Sequence, residues 1–303
     1  MVFSTIANSY FDEFPSRKKK KIPHTSGYYF LSHAHADHTV GIKSLLSSPD
    51  STIVCSEETS AALKILYRIP REKCLIIEPG QSLDFDTFVV HTLDANHCLG
   101  SLMFVMESTN HEKEVYTGDF RLGKPIIQEY ELLQNANLLW MDYTYGNKPK
   151  YNFPSRESLI SEILTLILTE KNDSAKDIWI AAYQIGKEKL LKTISEALHV
   201  KIWAPEEKVR IYEEIGKGWD IFTRDSDSGV FVGSRRTVEN LSGLDKVTES
   251  RLVDSLRISP TGWAIDLASR RLDVHYFPYS DHCSNKEVHE FIDLVKAQEI
   301  KKI

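Results

Sequence analysis

The chain has 303 residues, of which 42% are hydrophobic and 26% charged, a composition typical of a globular protein large enough for two domains. Its formal net charge is −6, so a nucleic-acid partner would have to be met by a local basic surface and by metal ions. No apolar run reaches the roughly 18 residues of a membrane helix. Residues 1–12 lack the features of a secretory signal. The cysteines are scattered, which argues against a disulfide framework and indicates a reducing compartment.

One basic run, Arg17–Lys21, stands near the start of the chain. A run of this kind is most often a solvated loop. Two sharper interpretations are contact with phosphate groups and a nuclear-import signal.

In the first half of the chain, short apolar runs typical of strands alternate with helical patterns. The runs cover residues 28–31, 52–55, 75–77, 88–93, 102–106, 114–117 and 138–141. Residues 57–67 predict a helix with apolar side chains on one face. Metal-ligand side chains closely follow several runs, namely His33, His97, Asp119 and Asp142. Ligands at strand ends favour a layered α/β sandwich whose loops meet along one edge.

The densest group of these side chains comprises His33, His35, Asp37 and His38, which directly follow the first strand-like run. We expect a helix to start at Thr39, which would place the group on a strand-to-helix turn. In extended backbone His33 and His35 face the same side. Imidazole suits zinc, and a carboxylate can hold a second, harder ion.

The second half changes character after about Gly146. Residues 148–154 form a polar linker, Ser155 is the expected N-cap of a helix, residues 177–182 predict a buried strand, and Gly186 opens another helix. The strand-like run 274–277 and a final helix indicate that the first domain resumes. We therefore predict a first domain over residues 1–147, an inserted small α/β domain over 148–255, and a return segment over 256–303.

Several motifs together carry a family resemblance. His-x-His-x-Asp-His at residues 33–38, His97 within 94–100 and Asp119 within 116–121 resemble the metallo-β-lactamase fold. The segments 141–155, 185–189, 259–263 and 278–284 narrow the resemblance to the β-CASP nucleases of the DNA cross-link-repair group. The resemblance implies an α/β fold, a metallo-β-lactamase αββα sandwich with an inserted small α/β β-CASP domain.

The resemblance also implies roles for individual residues. The first zinc would be held by His33, His35, His97 and Asp119. The second metal would be held by Asp119, Asp37, His38 and His282. The catalytic set would be Asp37, His38, Asp119, Asp142 and Asp12, in which Asp12 and Asp142 orient the metal ligands. A 5′-phosphate of the substrate would contact Gly186, Lys187, Lys189 and Ser280. The implied cofactor is Zn²⁺, as one or two ions, with Mg²⁺ or Mn²⁺ as alternatives at the second site.

The implied activity is hydrolysis of DNA phosphodiester bonds by a metal-activated water, as a zinc-dependent 5′→3′ exonuclease in cross-link or double-strand break repair. DNA with a 5′-phosphate would be the partner, no membrane would be involved, and the nucleus is the expected location, with the cytoplasm as the alternative. Other functions remain open at this point: an RNA-processing endonuclease, a hydrolase of small esters, thioesters or lactams, and an inactive scaffold that keeps zinc for stability.

The sequence departs from the family pattern in four places. No histidine occurs in residues 222–240, where the family commonly has one, and Phe231, Arg235 and Arg236 occupy that stretch instead. Tyr143 stands where the group often has Thr, and Leu99 where it usually has Pro. The resemblance implies a further strand after Ile303, so the chain is expected to be truncated.

Overall fold

The computed structural model describes residues 2–15, 27–173, 176–216, 218–240, 246–268 and 273–303. The basic run Arg17–Lys21 lies outside these ranges. The chain divides into two compact units. Unit 1 is Met1–Lys150 with His282–Ile303, and unit 2 is Tyr151–Asp281. Among the described helices, none combines the length and apolar character needed to cross a membrane.

The regular elements follow one another in three groups. The first part of unit 1 contains β1 (Phe3–Ser4), β2 (Ser9–Tyr10), β3 (Gly27–Phe30), a 3-10 helix (Ile42–Ser47), β4 (Ser51–Cys55), α1 (Glu57–Tyr67), a second 3-10 helix (Arg71–Lys73), β5 (Cys74–Ile76), β6 (Ser82–Asp84), β7 (Phe88–Asp94), β8 (Leu102–Ser108), β9 (Lys113–Tyr116), α2 (Lys124–Gln128), α3 (Tyr130–Leu133) and β10 (Leu138–Met141). Unit 2 contains α4 (Arg156–Asp173), β11 (Ile178–Ala181), α5 (Glu188–Leu198), β12 (Ile202–Trp203), α6 (Glu206–Ile215), β13 (Phe222–Thr223), β14 (Val230–Gly233), α7 (Arg235–Asn240), α8 (Lys246–Val253), β15 (Leu256–Pro260), α9 (Ala264–Leu267) and β16 (His275–Phe277). Unit 1 is completed by α10 (Asn285–Val295) and β17 (Glu299–Lys302).

Unit 1 is an αββα sandwich, which confirms the predicted fold. A six-stranded sheet, in the order β17-β10-β9-β8-β7-β6, packs against the three-stranded sheet β3-β4-β5. Phe11 and Phe30 belong to the core between the two sheets. Helices α2, α3 and α10 cover the other face of the larger sheet, where Ile126, Leu133 and Phe291 join its core. Helix α1 packs beside β5.

Burial of β8 on both faces explains why its sequence is a continuous apolar run. Its residues Leu102, Phe104 and Met106 face the core between the sheets, whereas Met103 and Val105 face the core under the helices. Because successive side chains of a strand point to opposite faces, a strand buried on both faces must be apolar at every position.

Unit 2 is a separate α/β structure built on six parallel strands in the order β13-β12-β14-β11-β15-β16. Helix α4 begins at the residue after Ser155, whose Oγ accepts a hydrogen bond from the backbone N–H of Ser158 at 3.1 Å. The predicted N-cap is thereby confirmed, because a side-chain oxygen satisfies one of the first N–H groups of the helix.

The predicted return to the first domain at residue 256 is wrong. Strand β15 pairs with β11 through Ile178 and Leu256, and β16 pairs with β15, so both strands extend the sheet of unit 2. Unit 1 resumes at His282 instead, and unit 2 begins at Tyr151 rather than at residue 148. Neither the short run His275–Phe277 nor the mixed apolar and polar sequence Leu256–Pro260 indicates which sheet its strand joins, because that choice depends on pairing with strands distant in the chain. The last residues form β17, an edge strand parallel to β10 that the sequence did not predict.

Candidate metal centre

The histidine motif occupies a compact loop after β3. The backbone N–H of His38 donates to the carbonyl of His35 at 3.2 Å, and Thr39 Oγ1 donates to the same carbonyl at 3.0 Å. The helix expected from Thr39 is instead a 3-10 helix that begins at Ile42. Gly41, just before it, has a φ of 95°, a conformation that glycine adopts without strain. The turn therefore ends before the helix starts, and its side chains converge on one side.

One carboxylate oxygen marks the centre of the site. Oδ2 of Asp119 lies close to the Nε2 atoms of four histidines: His38 at 3.3 Å, His33 at 3.6 Å, His97 at 3.6 Å and His282 at 3.8 Å. The fifth histidine, His35, places its Nδ1 3.2 Å from Nε2 of His97. All of these residues belong to unit 1. The structure thus brings together imidazoles from three separate segments around Asp119.

Donor atoms within this region form overlapping sets, each with its members within 4.8 Å of one another. The sets are His33, His35, His97 and Asp119; Asp37, His38 and Asp119; Asp119, Asp142 and His282; and Asp12, His33 and His38. Every residue predicted as a metal ligand belongs to one of them. Asp37 is the most exposed member, and its Oδ2 lies 3.8 Å from Nε2 of His38. The individual ligand roles stay predictions.

His33 provides a direct test of whether a metal fits. Its Nε2 is buried and makes no hydrogen bond with any described residue. The hydroxyl of Ser32 donates to Asp12, so Oγ of Ser32 accepts from Nδ1–H of His33 at 2.9 Å. This arrangement leaves a lone pair on Nε2, directed at the cluster. Burial, together with the neighbouring imidazoles, holds the pKa of His33 well below its usual value. A neutral imidazole with an unsatisfied buried nitrogen is the state a divalent metal requires of a ligand.

Asp12 forms a network of hydrogen bonds on the side of the site that carries His38. Its Oδ1 accepts from the backbone N–H of Ser32 at 2.7 Å, and its Oδ2 accepts from the Ser32 hydroxyl at 2.5 Å, Tyr116 Oη at 2.7 Å and His38 Nδ1 at 2.6 Å. Burial lowers the pKa of His38, but Asp12 and Asp119 outweigh that effect and raise it to about 11. The surroundings of His38 therefore stabilise positive charge strongly, which a metal cation at Nε2 would supply.

Asp142 supports His282 in a similar way. Its Oδ2 lies 2.7 Å from Nδ1 of His282, and its Oδ1 accepts from the N–H and hydroxyl of Thr144 at 2.9 Å and 2.6 Å. The backbone N–H of Asp142 donates to Thr117 Oγ1 at 3.0 Å. Burial raises the pKa of Asp142, but His282 and Thr144 more than compensate and hold it below its usual value. An anionic Asp142 orients the imidazole, as carboxylates beside metal-ligating histidines do.

A close backbone approach and a hydrogen bond position the loops that carry Asp119 and His97. Gly118 has a φ of 53°, and a Cβ there would lie 2.6 Å from Cβ of Ser32. In the other loop, Asn96 Nδ2 donates to the carbonyl of Arg121 at 2.9 Å. The loops of Asp119 and His97 are therefore joined to each other and to the histidine motif.

Sequence reasoning missed the hydroxyl groups that hold these ligands. They are Ser32, Tyr116, Thr117 and Thr144. Each lies within three positions of a residue that was predicted to act in the site. A search for hydroxyl residues flanking the expected ligands would have found them.

The residues predicted to contact a 5′-phosphate, namely Gly186, Lys187, Lys189 and Ser280, all lie in unit 2. Nζ of Lys187 lies 3.4 Å from Oδ2 of Asp281, and Lys189 forms an ion pair with Glu157. The N–H of Gly186 donates to the carboxylate of Glu188. Both lysine charges are partly offset by carboxylates, and the substrate-binding role of these residues stays a prediction.

The stretch that lacks the expected histidine has a structural explanation for two of its residues. Phe231 is buried and stacks on Trp179 with ring centroids 4.8 Å apart. Arg235 lies 3.7 Å from Glu239, one turn along α7. Phe231 is therefore part of the core of unit 2.

The fold and the site define a class of protein. The family described as the beta-lactamase superfamily domain matches residues 5–167, which is more than half of the chain. The chain belongs to this superfamily, and clustered His and Asp groups indicate that it binds a divalent metal.

Individual relatives narrow the class further. The DNA cross-link repair protein SNM1 of Arabidopsis thaliana is 31% identical over 90% of this chain and 60% of the relative. The 5′ exonuclease Apollo of Danio rerio is 30% identical over 87% of this chain and 46% of the relative. The DNA cross-link repair 1A protein of Homo sapiens is 28% identical over 90% of this chain and 27% of the relative. The chain spans less than two thirds of each of these relatives. The predicted resemblance to the cross-link-repair group is confirmed.

One solved structure shows the same fold at low identity. It is a protein of unknown function from Enterococcus faecalis V583, with a TM-score of 0.62 and 16% identity. The match covers 94% of this chain and 76% of that protein.

Proposed function

We propose that this protein is a metal-dependent nuclease that hydrolyses DNA phosphodiester bonds from a 5′ end and acts in DNA repair. The observation that carries the proposal is the convergence of four histidine Nε2 atoms on Oδ2 of Asp119, at 3.3 to 3.8 Å. The names of the relatives, which include DNA cross-link repair proteins and a 5′ exonuclease, support the substrate and the polarity. A role in DNA repair favours the nucleus as its location.

The donor set supports zinc as the first metal. Three imidazoles and one carboxylate, from His33, His35, His97 and Asp119, are the ligand types that zinc prefers. The set of Asp37, His38 and Asp119, with His282 beside it, is richer in carboxylate and suits either zinc or a harder ion such as Mg²⁺ or Mn²⁺. When bound, such ions activate water and neutralise the charge of a phosphate.

The chain's own residues keep the ligands in the required state. Asp12 accepts a hydrogen bond from Nδ1 of His38, and Asp142 accepts one from Nδ1 of His282, so Nε2 is the nitrogen of each imidazole left to bind a metal, which would displace any proton there. Ser32 does the same for His33. Such supporting contacts fix the orientation and tautomer of a ligand before substrate arrives, which reduces the reorganisation required during the reaction.

Electrostatics explains why nuclease activity here would depend on metal. Asp37 and Asp119 expose carboxylate oxygens at the site, and the whole chain carries a net charge of −6. A phosphodiester anion approaching these carboxylates is repelled unless cations are bound between them. We therefore expect chelation to weaken substrate binding at the site as well as to abolish hydrolysis.

Digestion of a 3′-labelled single-stranded DNA tests the proposal. The oligonucleotide is prepared with and without a 5′-phosphate, and RNA of the same sequence is digested in parallel. We expect progressive shortening from the 5′ end, faster with the phosphate, abolished by chelator and restored by Zn²⁺. Uniform internal cleavage of RNA would instead support an RNA-processing endonuclease.

A double variant, Asp37→Ala with His38→Ala, removes two groups of the second metal set. Its matched control is Asp50→Ala with His289→Ala, which removes the same residue types at exposed positions of unit 1. We expect the first pair to abolish digestion while circular dichroism shows an unchanged fold, and the control to retain activity. Full activity in the first variant would contradict the proposal.

A further inference from the structure

The sheet of unit 2 contains a topological switch point. The chain passes from β11 to β12 through α5, and from β14 to β15 through α7 and α8. In the order β12-β14-β11-β15 these two crossovers run in opposite directions. Because parallel crossovers are right-handed, their helices lie on opposite faces of the sheet. The chain therefore separates at the carboxyl ends of the adjacent strands β14 and β11, and crevices at such points commonly bind ligands.

A cavity of about 250 Å³ lies at this switch point, entirely within unit 2. Its wall includes residues at or after the ends of β11, β12 and β14, among them Tyr183, Gln184, Trp203, Lys208, Ser234 and Thr237. The volume is below the range of about 300–1,000 Å³ typical of pockets for drug-sized ligands. A small planar group therefore suits it better than a large ligand.

Aromatic rings form one wall of the cavity. Trp179 and Trp203 line the cavity, and Phe231 lies between them in register across β11, β14 and β12 without being part of the wall. Trp179 and Phe231 stack nearly parallel and are buried, whereas Trp203 at the end of the row is only partly buried. Tyr183 adds a ring that is 61% exposed. Two accessible rings at one cavity are suited to stacking with a planar ligand.

Polar groups stand beside the rings. Gln184 carries a carboxamide, which can both donate and accept, and the hydroxyls of Ser234 and Thr237 lie 2.9 Å apart. Nζ of the buried Lys208 donates to the carbonyls of Tyr183 at 2.9 Å and Gln184 at 3.0 Å. These two bonds fix the loop that carries Tyr183 and Gln184, so this part of the wall is preorganised.

We propose that this cavity binds one unpaired base of the single-stranded DNA substrate, which stacks on Trp203 and Tyr183 and presents its polar edge to Gln184. The inference rests on the proposed function, because that function supplies the strand. Every base has a π-face, so stacking on aromatic rings holds a strand without requiring a particular sequence. The cavity would thus add affinity from a part of the chain that has no role in the metal centre.

Fluorescence of 2-aminopurine tests the proposal on the full chain in the presence of chelator. Single-stranded oligonucleotides carry the probe at successive positions from the 5′ end, and we expect saturable quenching confined to one or two positions. Because chelation could itself weaken binding near the metal centre, each titration is repeated with the Asp37→Ala, His38→Ala variant in Zn²⁺. Quenching spread evenly along the strand in both settings would overturn the assignment.

Variants of the wall give a second measurement. We expect Tyr183→Ala, at an exposed position, and Trp203→Ala to weaken binding by on the order of ten-fold or more, and Trp203→Phe to retain most of it. Trp219→Ala is the matched control, because Trp219 is a partly buried tryptophan of the same unit outside the cavity. An oligonucleotide that is abasic at the quenched position should be insensitive to Tyr183→Ala and Trp203→Ala. Equal losses with the abasic strand would overturn the proposal.

Two further outcomes separate related possibilities. Deoxyadenosine monophosphate that competes as tightly as the oligonucleotide would overturn the assignment to a base within a strand, in favour of a free nucleotide. Normal digestion of DNA combined with unchanged binding in Tyr183→Ala and Trp203→Ala would overturn only the cavity's role. Absence of digestion together with position-specific quenching would instead contradict the proposed hydrolysis and leave the base site supported.

Discussion

Nδ1 of His282 lies 2.7 Å from Oδ2 of the buried Asp142, although 140 positions separate the two residues in the chain. Nε2 of the same imidazole lies 3.8 Å from Oδ2 of Asp119. The imidazole therefore connects a supporting carboxylate with the centre of the cluster. This connection depends on the chain returning to unit 1 at His282, immediately after unit 2 ends.

Replacing Asp142 with Asn should change the tautomer of His282. Oδ1 of Asp142 accepts two hydrogen bonds from Thr144, so that position must remain an oxygen in the variant. The amide nitrogen would then face Nδ1 of His282 and donate to it, which moves the imidazole proton to Nε2 and removes the lone pair a metal needs. We expect nuclease activity to fall by about 10- to 100-fold, measured as kcat/KM on 5′-phosphorylated DNA.

Metal content gives the independent readout for Asp142→Asn, because a purely structural role would not alter it selectively. The bound metal per chain should fall under limiting Zn²⁺, while the melting temperature in chelator stays close to that of the parent protein. Asp50→Asn, at an exposed position, is the matched control and should leave both quantities unchanged. Normal metal content with normal activity in Asp142→Asn would contradict the tautomer argument.

Gly118 and Gly80 allow the effect of a close approach to be separated from that of backbone strain. Both have positive φ, 53° and 80°, but a Cβ at Gly118 would lie 2.6 Å from Cβ of Ser32, whereas nothing lies within 4 Å at Gly80. A non-glycine residue in this backbone region costs about 1–3 kcal/mol. We expect Gly80→Ala to show only that cost, and Gly118→Ala to lose more stability and most activity because Asp119 is displaced. Urea denaturation and DNA digestion measure the two effects, and equal denaturation midpoints would contradict the account.

The sequence predicted the parts of the molecule in which local pattern and structure agree. Helix α1 has the predicted bounds, from Glu57 to Tyr67, because Ser56 caps it and its apolar residues share one face. The site residues His97 and Asp119 follow β7 and β9 closely, and the ends of these strands bring them to one edge of the sandwich. Both features depend on interactions between near neighbours in the chain or on strand direction.

Other parts of the structure depend on contacts between residues distant in the chain, and local sequence pattern could not predict them. Strands β12 and β13 have two residues each, which is too short for a period. The sheet that accepts β15 is decided by its pairing with β11, and the sequence Leu256–Pro260 does not indicate that partner. Tyr116 donates to Asp12 across 104 positions, so neither residue reveals the other. Such pairings are set by the packing of the whole unit.

Asp12 and Tyr116 provide a graded test of the support around His38. Oδ2 of Asp12 accepts three hydrogen bonds, and Oδ1 accepts one from Ser32, so an amide nitrogen at either position would face a donor. Asp12→Asn should therefore lower activity about ten-fold or more and cost about 1–3 kcal/mol of unfolding free energy. Tyr116→Phe removes only one of the three donors to Oδ2 and should retain activity within a few-fold. Steady-state digestion and urea denaturation distinguish the variants, and a larger loss in Tyr116→Phe than in Asp12→Asn would refute this ranking.

Metal binding should stabilise the fold, because Nε2 of His33 is buried without a hydrogen bond in the described structure and a bound metal would give it a partner. A ligand at a hundred times its dissociation constant stabilises the native state by about 2.7 kcal/mol, which raises the melting temperature by about 5 °C or more for a unit of this size. We expect this increase when Zn²⁺ is added to chelated protein, and its loss in His33→Ala. His289→Ala, on the exposed face of α10, should keep it. Scanning fluorimetry with and without Zn²⁺ measures the difference, and a metal-dependent increase that persists in His33→Ala would mean that the stabilising ion binds elsewhere.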